Sequence, residues 1–231
     1  MRHFAPIILT IPLILTGCSK GPSRVELLRA EKAQRDSIAV VQREQTMAYC
    51  DSMTAILTPQ VDELLKRFRY EKDDRYEDHG HYVHPLLNTD RNVERCFLQP
   101  YVSDQIDISI RSYYYGRRLL QHTGLKLSAD SAELRVTGRC HHFEATAMDG
   151  TDKTYQHEIM TVDKSEVESL LGFIDSYRDG RIRVTLEGDG TYSYVLSDND
   201  KQALNDTYQL AVLMRDIHRL NEMRNQAGRN F

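Results

Sequence analysis

Arg181-Ile182-Arg183-Val184-Thr185-Leu186-Glu187-Gly188-Asp189-Gly190-Thr191-Tyr192-Ser193-Tyr194-Val195-Leu196 is the stretch that decides the fold class. Ile182, Val184 and Leu186 alternate with Arg183, Thr185 and Glu187, the period of a strand with one buried face. Gly188-Asp189-Gly190 turns the chain, because Asp-Gly tolerates positive φ, and Tyr192, Tyr194 and Leu196 return in the same period. Earlier in the chain, Ile106, Ile108 and Ile110 alternate in the same way with Asp107, Ser109 and Arg111. Shorter runs at 93–102, 119–127, 132–137, 143–147 and 155–162 repeat the pattern. Turn chemistry at Tyr115-Gly116, Ser128-Ala129-Asp130 and Met148-Asp149-Gly150 separates them. Short strands at this spacing predict an antiparallel sheet or sandwich.

Helices flank this β region. Ser165 and Glu168 have the spacing of a capping box; Leu170, Leu171, Phe173 and Ile174 follow, and Gly180 stands past the end. A long helix is predicted from just after Ser197 to about Asn225. On it Leu210, Leu213, Met214, Ile217 and Leu220 form one stripe, which Leu204, Tyr208 and Ala211 widen past half the circumference. One flat surface needs a face of only about 100°, so two partners are expected. Upstream, Ile38, Val41, Gln45, Tyr49, Met53 and Ile56 step by three and four, giving a stalk helix that should stop near Leu57. Thr58 and Pro59 then suit the cap and first position of a second helix over 59–69. The charge run 70–78 reads as a solvated loop. The fold expected is α+β: an N-terminal helical stalk, an antiparallel sheet or sandwich with one short inserted helix, and a long C-terminal helix packing on stalk and sheet.

The N-terminus carries a different signal. Arg2 and His3 precede a mostly apolar run from Phe4, which ends in Leu15-Thr16-Gly17-Cys18. The run is interrupted by Pro6 and Pro12 and is too short for a membrane span. This order of features resembles the lipobox of bacterial prolipoproteins. The resemblance implies cleavage before Cys18, acylation of Cys18, and a membrane anchor there. Ser19 and the absence of an acidic run after it resemble the pattern of outer-membrane lipoproteins facing the periplasm. The expected division is a signal peptide at 1–17, a lipidated anchor and spacer at 18–37 with helical tendency from Arg24, a stalk at 38–69 and a β domain at 70–231. The order of parts also loosely resembles uncharacterised envelope lipoproteins, which brings no activity with it.

Removing residues 1–17 takes away Arg2 and moves the formal net charge of −4 to −5. This mild acidity argues against a nucleic-acid partner, since phosphate binding draws on clustered Lys and Arg. Cys50, Cys96 and Cys140 allow at most one internal disulfide. His79, His81 and His84 are the candidate metal ligands, although Gly80 and Pro85 break the rigidity a catalytic ion needs and no metal motif is present. We therefore expect no metal there and no cofactor. Asp198-Asn199-Asp200 lacks the other ligands of a calcium loop and reads as helix capping. Tyr113 and Tyr115 are candidate binding rings, and equally suit cross-strand pairing. The reading favoured is a non-enzymatic envelope module that binds or scaffolds a protein partner. A metal-assisted hydrolase using the histidines, and a small-ligand or glycan binder using the tyrosines, are the alternatives.

Overall fold

The computed structural model describes residues 23–73, 76–87, 94–146 and 154–229, with the backbone alone at 73, 76–79, 142–146 and 154. Cys18, its spacer up to Pro22 and the turn at Met148-Asp149-Gly150 lie outside the described residues. The architecture is α+β. Among the described residues, helices α1 (Arg24–Leu65), α2 (Val167–Ser176) and α3 (Asp198–Arg229) accompany nine strands. These are β1 (Arg69–Asp73), β2 (Tyr76–Val83), β3 (Phe97–Ser103), β4 (Ile108–Gly116), β5 (Gly124–Ala129), β6 (Ala132–Thr146), β7 (Thr154–Val162), β8 (Arg183–Glu187) and β9 (Thr191–Val195). They form one antiparallel sheet in the order β1-β2-β3-β4-β7-β6-β5-β8-β9, so β1 and β9 are its edges.

The hairpin 182–196 forms in the expected register, with Val184 opposite Tyr194 and Leu186 opposite Tyr192. Ile108 and Ile110 are buried on β4 while Ser112 and Tyr114 continue the same phase. The runs 132–137 and 143–147, read as two strands, join into the single strand β6. Its first part pairs with β5 and the part from Gly138 onward pairs with β7. At the changeover a Cβ on Gly138 would lie 2.2 Å from the Thr161 carbonyl oxygen, so no other residue fits without moving β7. The charge run also departs from its reading: β1 and β2 make a hairpin of it. Gly80 permits that pairing, because a Cβ there would sit 2.3 Å from the Tyr70 ring.

The core is formed by the inner sheet face with α2 and α3. Val167, Leu170, Leu171 and Ile174 bury one side of α2. Its predicted capping box does not form: Glu166 precedes the helix without a side-chain cap, and Glu168 pairs with Arg215. Capping appears instead at α3, where the Asp200 amide donates to Ser197 Oγ at 3.1 Å and Asp200 Oδ2 accepts from the Ser197 amide at 3.0 Å. Ala203, Leu204, Thr207, Leu210 and Ala211 bury the inner face of α3 against β3, α2 and the short 3-10 turn Pro85–Leu87. The helix also pairs with α1 through Arg224 Nε–Asp51 Oδ1 at 2.6 Å, and with the residues just after α1 through Arg67 Nη1–Asp206 Oδ2 at 3.1 Å.

The chain divides into two compact units after Thr46, and α1 belongs to both. It starts with a capping box: the Ser23 amide donates to Glu26 Oε2 at 2.7 Å, and the Glu26 amide to Ser23 Oγ at 3.3 Å. The helix begins in the predicted spacer and runs through Pro59 without the expected stop. Thr58 is no cap; its hydroxyl donates back to the Thr54 carbonyl at 2.8 Å. One missing N–H and the crowding by the ring cost about 3 kcal/mol, which the helical turns on both sides offset. The buried face is also rotated from the predicted stripe. Cys50 and Val61 are buried, with Met53, Leu57, Leu64 and Phe68 half-buried between and beyond them. Ile38, Val41, Tyr49 and Ile56 are exposed. Among the described residues no helix is long and apolar enough to cross a membrane. Cys50, Cys96 and Cys140 are all free thiols.

Candidate functional site

Strand register lays out the sheet's outer face. Gln99, Arg111, Thr161 and Arg139 stand side by side across β3, β4, β7 and β6. The next row is Phe97, Tyr113, Ile159 and His141. Arg111, Arg139 and His141 are exposed. Phe97 and Tyr113 stack at 4.6 Å with planes 5° apart, and Tyr115 stacks on Tyr155 at 4.7 Å. Such pairs stabilise neighbouring strands, and they fix the rings that the face presents.

At the β2–β4 end of this face is a cleft of about 300 Å3 that includes His81, Tyr101, Ser103, Ser109 and Arg111. The Arg111 guanidinium lies 4.8 Å over the Tyr101 ring, and the His81 ring meets the same ring edge-on at 5.0 Å. The Tyr101 and Tyr113 hydroxyls are 3.0 Å apart. Burial pushes the Tyr101 phenol well above its ordinary value, and the Tyr113 hydroxyl adds to this, so Tyr101 stays protonated. Ile106, read in the sequence as part of the β4 alternation, stands instead in the β3–β4 turn at φ 66°, a conformation that costs a β-branched residue energy. Asp104 holds one side of the cleft closed by accepting from the Gly80 amide at 3.1 Å.

On the opposite, core-facing side of the same strands lies a buried polar chain. Ser112 on β4, Glu158 on β7 and His122 on the β4–β5 connection are all fully buried. His122 Nδ1 is 3.0 Å from Glu158 Oε2, and His122 Nε2 is 3.2 Å from Ser112 Oγ. Glu158 also accepts from the Leu120 amide at 2.5 Å and the His122 amide at 3.0 Å. Burial pushes the Glu158 carboxyl up, but the His122 ring and the amides of Leu120, Gln121 and His122 outweigh it and hold the group below its usual value. Burial lowers His122, against the pull of Glu158, which leaves a neutral ring. Nδ1–H therefore donates to the carboxylate, and Nε2 accepts from the serine. Serine, histidine and carboxylate in this order is the arrangement of an activated nucleophile. Ser112 is 0% exposed, however, and no substrate carbonyl reaches its Oγ. Cys140 on β6 completes the group, with Sγ 3.7 Å from Glu158 Oε2. Burial first, then the Glu158 charge, pushes its thiol up to about 11.

Of the residues singled out in the sequence, His81 lines the cleft and Tyr113 reaches it through the Tyr101 hydroxyl. Tyr115 lies along the outer face, edge-on to His157 at 4.9 Å. His84 is buried elsewhere, 3.6 Å from Asp206 and edge-on to Phe68. His81 and His84 thus engage different partners, and the side chain of His79 lies outside the described residues. Asp200 binds Arg95 through two contacts, at 2.6 and 3.0 Å. The buried group of Ser112, His122, Cys140 and Glu158 went unnoticed in the sequence, although a signal existed. Ser112 continues the phase of Ile108 and Ile110, and Glu158 the phase of Met160 and Val162, so both put polar atoms at core positions. Comparison with protein-family models, with curated proteins and with solved structures gave no match in any of the three.

Proposed function

We propose that the protein is a lipoprotein of the cell envelope, anchored through Cys18 to the outer membrane and facing the periplasm, and that it is a non-enzymatic module binding another envelope protein. The lipobox-like stretch Leu15-Thr16-Gly17-Cys18 supports the anchor. The observation that carries the binding role is the outer sheet face, where stacked rings hold Tyr113 and Tyr115 in place beside exposed Arg111, Arg139 and His141. Rigid aromatics with arginine are the residues that dominate protein interfaces. On a chain of net negative charge this basic face suits a partner presenting acidic groups.

Two measurements test the proposal. Cys18→Ala should abolish acyl labelling; normal labelling of that variant would remove the anchor from the argument. A photo-crosslinker placed at Arg139 or Ser109 in intact cells should capture one protein, and the same probe at exposed Glu133 should not. Equal capture from all three positions, or none, refutes the binding face. The cleft of about 300 Å3 favours a second reading, a small polar ligand held by His81 and Arg111. Crosslinks to a glycan instead of a protein would select it.

A further inference from the structure

We propose that His122, Cys140 and Glu158 form a mononuclear Zn2+ site behind the sheet, independent of the binding face. Three kinds of donor meet there, and one ligand atom from each lies within 4.8 Å of the others. Tetrahedral zinc with ordinary bond lengths places N and O ligands about 3.3 Å apart and S and O ligands about 3.6 Å apart. The structure has His122 Nδ1–Glu158 Oε2 at 3.0 Å and Cys140 Sγ–Glu158 Oε2 at 3.7 Å. Both distances to Glu158 Oε2 are within a few tenths of an ångström of those values, and the His122 and Cys140 ligand atoms lie within 4.8 Å of each other, so closing on an ion needs the two to draw together.

The surrounding groups are those a zinc site uses. A ligating histidine is held by a hydrogen bond from its other ring nitrogen, and Ser112 Oγ stands 3.2 Å from His122 Nε2. On binding, the imidazole proton leaves Nδ1 for Nε2 and is donated to Ser112, whose hydroxyl changes from donor to acceptor. The thiol loses its proton to solvent as the Zn–S bond forms. Zn2+ with one thiolate and one carboxylate is neutral, whereas the metal-free group buries the net charge of Glu158. The Leu120 and His122 amides keep the carboxylate in place throughout. Access runs through a recess of about 400 Å3 lined by Leu119, Gln121, Thr123 and Cys140. A water as fourth ligand would enter by this recess, at the Cys140 side of the group.

The test uses the full-length chain in detergent, stripped with chelator and then titrated with Zn2+ and with Co2+. One ion per chain is expected, and the Co2+ form should show thiolate-to-metal charge-transfer absorption. Cys140→Ser should lose that absorption and weaken binding at least tenfold, with an unchanged far-ultraviolet circular dichroism spectrum. Ser112→Ala should keep one ion per chain and the absorption while binding about 10- to 100-fold more weakly. His81→Ala should change neither. No stoichiometric ion, or a Co2+ form without thiolate absorption, overturns the site with no variant needed. Binding that survives Cys140→Ser but is lost in His81→Ala places the ion elsewhere and overturns it equally.

Discussion

Arg95→Ala should destabilise the protein more than its exposed position suggests, because the partner it leaves is buried. Asp200 is 1% exposed and its carboxylate takes two bonds from Arg95, at 2.6 and 3.0 Å. Stripping one partner from a buried pair costs about 3–5 kcal/mol. Here the charge keeps the Ser197 amide at 3.0 Å and the Ser197 hydroxyl at 2.8 Å. It also stands in the first turn of α3, where the helix dipole returns up to about 1 kcal/mol. The net expectation is about 2–4 kcal/mol. Asp200→Asn should cost less, about 1–2 kcal/mol, because the Arg95 side chain is 36% exposed and can hydrate. The double variant should then fall short of additivity by about 1–2 kcal/mol. Urea unfolding followed by circular dichroism, at unchanged slope, gives all three numbers. Burial raises the Asp200 carboxyl, but Arg95 and Ser197 outweigh it and set it below its ordinary value. Its stabilisation is therefore present above the unfolded-state value of about 4 and lost as pH falls through the lower folded value. Arg95→Ala should reduce that acid dependence. A cost under about 0.5 kcal/mol, the size of an ordinary surface change, or strict additivity would refute the reasoning.

Gly138→Ala would bring a Cβ to 2.2 Å from a β7 carbonyl and should cost more than about 2 kcal/mol. Gly172→Ala, on α2 with nothing within 4 Å of the new Cβ, should stabilise by about 0.4–1 kcal/mol; thermal unfolding separates the two. Burial, with Arg67, lowers His84 despite the opposing pull of Asp206. Its neutral form thus stabilises the fold above the ordinary value of 6.5, and that part is lost as pH falls through the lower folded value. Replacing His84 with Gln should flatten the stability profile below pH 6.5, measured by unfolding at a series of pH values.

Much of the sheet was legible because alternation reports burial directly: Ile108 and Ile110 point inward as their spacing required. The β1–β2 hairpin was not. Strands bearing Arg69, Glu71, Lys72 and Asp73 carry no apolar period, and their pairing depends on Gly80 admitting the Tyr70 ring. Helix α1 misled at Thr58-Pro59 because capping chemistry and back-bonding chemistry use the same hydroxyl. Of its expected stripe only Met53 lies toward the buried side; the rest was misplaced because Cys50 and Thr54 are weaker apolar markers than Ile38 or Ile56, yet they lie nearer that side. The Ser112–His122–Cys140–Glu158 group comes from four separate segments, so no local spacing joins its members. Only the pairing of β4, β7 and β6, with the β4–β5 connection, brings them together.

The two edges of the sheet differ in how they resist joining another chain. Unpaired edge strands are templates for intermolecular pairing, and charge is a common protection. On β1 four of five residues are charged, Arg69, Glu71, Lys72 and Asp73. On β9, Thr191-Tyr192-Ser193-Tyr194-Val195, none is, and Tyr192 and Val195 are exposed. Its short length, five residues, is the protection visible among the described residues. Where chains become crowded, aggregation by strand addition would begin at β9, and a lysine in place of Ser193 would be the simplest way to suppress it.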